Sequence, residues 1–110
     1  MKEGFKIVNY QYSKFDLPSD SAETKAFKDA YRAKYHSDPS YFAAATYDSA
    51  QILVKAIRAV GENPQKIGDY VSSLKNYTGI TGTFSFNDDC EVDRNMIVNT
   101  IKDGKMVEAK

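Results

Sequence analysis

The chain has 110 residues, 42% hydrophobic and 27% charged, which suits one small globular domain with an adequate core. Its 15 Lys and Arg offset 15 Asp and Glu, so no net field draws it to nucleic acid or a lipid surface. No apolar run approaches the roughly 20 residues needed to span a bilayer, and Cys90, the only cysteine, excludes an internal disulfide. Met1-Lys2-Glu3-Gly4 leads directly into Phe5-Lys6-Ile7-Val8, too short and too charged for a signal peptide. So abrupt an opening suggests a cut rather than a natural beginning. Aromatic residues make up 13% of the chain and are expected mostly as core and interface.

Residues 5–12 read as a strand without a clean polar side, as in a strand covered on both faces. Residues 13–18 form a loop, because Pro18 disfavours helix at Leu17. Asp20-Ser21-Ala22-Glu23 resembles a capping box with Glu23 at the third helical position. From it Ala26, Phe27, Ala30, Tyr31 and Tyr35 run as an apolar stripe on an amphipathic helix ending near His36. A loop over residues 37–40 precedes a long helix over 41–60, bounded by Pro39 before it and by Gly61 and Pro64 after it. Asn63 caps a third helix with Pro64 at its first position, and Ile67, Tyr70, Val71 and Leu74 carry it to about residue 76. Residues 78–86 then read as a strand with Phe84 and Phe86 on one side. Residues 87–91 form a polar turn, 96–101 a β-branched strand, and Asp103-Gly104 the turn of a hairpin returning through 105–109.

The long helix organises the rest. On a helical wheel Asp48, Gln51, Lys55 and Arg58 fall on one narrow polar line, while Ala43, Tyr47, Ala50, Leu53, Val54, Ile57 and Val60 make most of the remaining circumference apolar. Such a helix is expected to be covered on more than one side. It opens with two aromatics, Tyr41 and Phe42.

The residues support no enzyme. His36 is the only histidine and lies at a helix end, where it favours the dipole. No G-x-S-x-G elbow seats a nucleophile, and one His with one distant Cys gives no zinc site. The acidic run Asp88-Asp89-Cys90-Glu91-Val92-Asp93 lacks the alternating ligands and Gly of a calcium loop. Cys90 set among these carboxylates does not suit a catalytic nucleophile. Gly79-Ile80-Thr81-Gly82 spells the G-x-x-G of an RNA-binding module but has no basic flank beyond Lys75. Asn76-Tyr77-Thr78 matches a glycosylation sequon, relevant only in a secreted eukaryotic protein. No metal, cofactor or nucleic-acid partner is expected. What remains is an apolar helix entrance ringed by aromatics, a feature of binding sites.

The ordered set of motifs is similar to the C-terminal part of the type I periplasmic solute-binding proteins of the branched-chain amino-acid ABC-importer family. It consists of Phe27-x-x-x-Tyr31-x-x-x-Tyr35 before Pro39, then Tyr41-Phe42-Ala43-Ala44-Ala45-Thr46-Tyr47-Asp48-Ser49-Ala50, then residues 74–86 with their G-x-x-G-x-x-x-F segment. Asp93-Arg94 and the hairpin at residues 101–105 complete it, and the likeness covers the chain from Gly4 onward. The resemblance implies an α/β fold. The chain would be a fragment of a two-lobed clamshell, with three helices, a few short strands and a C-terminal β-hairpin. Residues 5–10 and 95–109 would be second-lobe strands and residues 19–88 first-lobe helices and strand, with crossings near 12–18 and 89–94. It further implies an amino-acid-binding component of an ABC importer, working with a permease, periplasmic or extracellular and lipid-anchored in the parent protein. Phe42, and with it Tyr41, would line the ligand cleft.

In the family Gly often stands where this chain has Cys90. The groups that hold the ligand's ammonium and carboxylate lie upstream of the segment matched. A buried zwitterion without partners is costly, so the 110 residues alone are expected not to bind amino acids usefully. The apolar helix faces are expected to promote self-association. Alternatives on the same residues are a ligand-sensing domain of a receptor or regulator, and an independent small α+β interaction module.

Overall fold

A computed structural model describes residues 6–9, 21–94 and 97–108 of the chain. In chain order it contains β1 (Lys6–Asn9), α1 (Ala22–Tyr35), α2 (Tyr41–Val60), α3 (Pro64–Ser72), β2 (Tyr77–Gly79), β3 (Gly82–Phe86), β4 (Val92–Asp93), β5 (Ile97–Lys102) and β6 (Lys105–Glu108). The strands form two antiparallel three-stranded sheets that share no strand, ordered β1-β5-β6 and β2-β3-β4. Residues 5 and 10–12 of the first expected strand, and the expected loop and crossing over 12–18, lie outside the described residues.

Each helix begins where a side-chain acceptor takes an otherwise unbonded amide. Ser21 caps α1 through Thr24 N, Ser40 caps α2 through Ala43 N, and Asn63 caps α3 through Lys66 N with Pro64 at the first position. The α1 start therefore differs from the expected capping box. With Ser21 as cap, Glu23 is the second helical residue and Thr24 the third. Helix α1 stops at His36, whose left-handed φ of 56° turns its amide onto the Arg32 carbonyl.

Helix α3 ends at Ser72, short of the expected residue 76. The hydroxyls of Ser72 and Ser73 bond back to the Gly68 and Tyr70 carbonyls, an alternative to continuing the helix, and Asn76 takes a positive φ of 52°. The C-terminal hairpin forms as expected: Asp103 and Gly104 have φ of 51° and 74°, the positive pair of a type I′ turn, with Lys102 opposite Lys105.

The expected single strand over 78–86 is instead a hairpin. Gly79 faces Gly82, Thr78 faces Thr83 and Tyr77 faces Phe84, so Ile80 and Thr81 form a two-residue turn. Neither turn residue has a positive φ, so the primed turn types that suit such hairpins are absent. The turn is held by tertiary contacts.

Helix α2 also departs from expectation. Its buried residues are Ala44, Asp48, Ile52 and Ala56, one i, i+4 stripe. Asp48 is only 3% exposed, so this member of the narrow polar line lies at the centre of the buried face. On the opposite side Leu53, Val54 and Ile57 are 49%, 41% and 39% exposed. Within this chain the helix is covered on one face, although its composition suits cover on two. The α1 stripe is likewise incompletely covered: Phe27 and Tyr31 are half-buried, while Ala26, Ala30 and Tyr35 are exposed. The radius of gyration is 16.1 Å, against about 13 Å for a compact chain of this length.

Candidate ligand-binding cleft

The Ile80-Thr81 turn is buried, and each of its backbone polar groups named below has a partner from a different element. The Asp48 carboxylate of α2 accepts from Ile80 N at 2.9 Å, Thr81 N at 3.0 Å and the Thr81 hydroxyl at 2.7 Å. The Thr24 hydroxyl of α1 donates to the Ile80 carbonyl at 3.3 Å, and Arg94 Nη1 donates to the Thr81 carbonyl at 3.2 Å. A buried backbone group left unpaired costs about as much as a lost hydrogen bond, so these three side chains make a buried turn tolerable. Two Asp48 oxygens against two consecutive amides also explain why a buried carboxylate is tolerated.

This bracket fixes the floor of an aromatic cleft of about 370 Å³. Ser40 starts α2 so that Tyr41 and Phe42 fall in its first turn, at the cleft wall. Tyr41 is half-buried against Ala44 and Ile80, while Phe42 is 66% exposed, with the two ring centroids 6.1 Å apart. Phe84 and Phe86 of β3 and Val92 of β4 supply the other apolar wall. Phe86 lies opposite Val92 in the sheet, and the Phe84 and Phe86 rings meet edge-on at 6.1 Å. The Arg94 guanidinium closes one side, 4.5 Å above the Phe84 ring and 6.0 Å from that of Tyr41.

A second, more polar recess of about 580 Å³ lies between α1, α2 and β2, and Asp48 borders both. There Lys55 Nζ sits 5.0 Å over the Tyr77 ring. Burial, reinforced by repulsion from the Asp48 carboxylate, holds the Tyr77 phenol above its ordinary pKa.

The structure thus brings both sequence-predicted residues, Tyr41 and Phe42, to one cleft. It adds Asp48 and Arg94, which sequence reasoning did not place there. The helical wheel puts Asp48 only on the polar line of α2, and Arg94 enters the sequence only as part of a motif. Elsewhere, His36 and Cys90 are exposed. The acidic turn is organised by Asn87, whose side-chain oxygen accepts from Asp89 N and Glu91 N, while Cys90 takes a positive φ of 62°. The G-x-x-G segment is the buried hairpin turn itself. Among the described residues no group of three or more His, Cys, Asp or Glu is placed to hold a metal ion.

Residues 3–105 match the family described as periplasmic binding protein. The chain belongs to this family. Among solved structures it is similar to the branched-chain amino acid transporter substrate-binding protein LivJ from Streptococcus pneumoniae, crystallised with isoleucine, at 33% identity and TM-score 0.70 over 94% of this chain and 30% of that one. It is also similar to an ABC-transporter solute-binding protein from R. palustris in complex with benzoate, at 27% identity and TM-score 0.72 over 96% and 29%. The fold is shared with a leucine-binding protein, LivK, from Thermotoga maritima, at 23% identity and TM-score 0.70 over 98% and 30%. The expected fold class therefore holds: three helices and short strands forming part of a two-lobed type I periplasmic binding protein. The chain spans about 30% of the length of these periplasmic binding proteins.

Proposed function

We propose that the chain is part of the substrate-binding component of an ABC importer for branched-chain or related amino acids. Tyr41 and Phe42 contribute an aromatic wall to its ligand cleft. The observation that carries this reading is Phe42: a large ring 66% exposed at a cleft mouth, held there by a capped helix start, in a member of this family. Exposed aromatic surface at a concave site suits a ligand with an apolar side chain. The protein bearing the chain would act outside the cytoplasm beside an ABC permease.

The two sheets support the further reading that β1, β5 and β6 belong to one lobe, and the helices with the Ile80-Thr81 hairpin to the other. The amino acid's ammonium and carboxylate would then be held by residues outside this cleft. Among the described lining side chains only Asp48 and Arg94 are ionic, and the Asp48 oxygens are taken by the turn.

Calorimetric titration with leucine, isoleucine and valine tests this. The protein bearing the chain should bind at least one of them, with Phe42→Ala weakening the affinity by about tenfold or more. The 110 residues alone should show no micromolar affinity. Failure of the longer protein to bind any of the three, or binding indifferent to Phe42→Ala, would overturn the reading.

A further inference from the structure

We propose that Asp48 and Arg94 are positioning residues of this cleft. Asp48 fixes the turn whose carbonyl holds the Arg94 guanidinium against the rings of Tyr41 and Phe84, and so sets the wall that meets the ligand. The inference rests on the reading of the cleft given above.

The chain of contacts is continuous. Both Asp48 oxygens are spent on the Ile80 and Thr81 amides, and Oδ2 also takes the Thr81 hydroxyl. Thr81 is nearly fully buried, so its carbonyl direction is set by that grip. The carbonyl receives Arg94 Nη1 at 3.2 Å. Among the described residues Arg94 makes no ion pair, so this bond and two ring faces orient its planar group. A guanidinium 4.5 Å over the Phe84 ring and 6.0 Å from that of Tyr41 lies between the two walls, and Tyr41 in turn packs beside Phe42. Freed from the Thr81 carbonyl, a long arginine would sample several rotamers, and its share of the cleft wall would be lost. Asp48 therefore acts on the cleft without offering a free oxygen to a ligand.

The test is leucine titration of the protein bearing the chain, comparing Arg94→Gln, Asp48→Asn and their double variant. Each single change should weaken leucine binding by about tenfold. The double variant should be no weaker than the worse single one, because both break one relay. Arg94→Lys, which keeps the charge and a donor for the Thr81 carbonyl, should recover part of the loss. Ile101→Val, in the other sheet, serves as a control that lowers stability without touching the relay, and should leave leucine affinity unchanged. Arg94→Gln leaves the Asp48 bonds intact and decides the matter alone where Asp48→Asn does not fold. Unchanged affinity in Arg94→Gln, or strictly additive losses, overturns the inference while leaving the cleft reading in place. An unmutated protein that binds none of leucine, isoleucine and valine overturns both.

Discussion

The carboxylate of Asp48 occupies the space a side chain on Gly79 would need: a Cβ built there would lie 2.5 Å from the carboxylate carbon and both oxygens. Three hydrogen bonds pin that carboxylate, so it cannot swing aside as a free side-chain end would. Gly79 is thus required by proximity. Gly79→Ala should destabilise the chain by about 1–3 kcal/mol, the usual cost of overpacking, as read from denaturant unfolding.

Removing the other partner should cost as much or more. Asp48→Ala would leave two buried amides and a hydroxyl without acceptors, each costing about 1–3 kcal/mol in desolvation. Unfolding of the variant at much lower denaturant, with early amide exchange at Ile80 and Thr81, is the expected result. Thr24→Val, which removes only the bond to the Ile80 carbonyl, should cost about 1 kcal/mol.

Tyr77 gives a pH dependence at the alkaline end. Its folded pKa lies above the ordinary value of 10.0, first through burial and then through the negative charge of Asp48. The unfolded chain therefore releases this proton more readily. The contribution of Tyr77 to stability is full below pH 10 and falls as pH rises from there through the folded pKa. Thermal melts from pH 8 to 11.5 should show a decline that Tyr77→Phe makes shallower; identical slopes would remove this group as the cause.

The uncovered flank of α2 has a solution consequence. Leu53, Val54 and Ile57 form an exposed apolar patch opposite the buried stripe. The 110-residue chain should therefore self-associate, with mass by light scattering rising with concentration. Leu53→Lys with Ile57→Glu should shift it toward monomer with little loss of stability. A concentration-independent monomer in the unmutated chain would count against this.

Cys90 holds a left-handed φ of 62° that a glycine adopts without steric cost. Cys90→Gly should stabilise the chain by about 0.5–1 kcal/mol and abolish any oxidation-dependent dimer on non-reducing gels.

Much of this architecture was legible in local signals. Pro39, Gly61, Asn63 and Pro64 bound α2 and start α3 through chemistry confined to a few neighbouring residues, and Asp103-Gly104 makes a turn by itself. Tyr41 and Phe42 could be placed because a helix start is readable and two aromatics there stand out. Asp48 could not, because its partners lie 32 and 33 residues away, and a helical wheel assigns any carboxylate to water. The Ile80-Thr81 turn was hidden for the same reason. It carries none of the Asn-Gly or Asp-Gly chemistry of a self-sufficient hairpin and borrows its bonds from α1, α2 and Arg94.

A turn gripped in this way from three directions has no slack in its length. Adding one residue between Gly79 and Gly82 would push an amide off the carboxylate. Deleting one would turn Phe84 to the outer face of the sheet and carry the carbonyl away from Arg94. Insertions and deletions should therefore be accepted in the 87–91 turn, which faces water, and rejected in the Ile80-Thr81 turn, although both are short connections between strands.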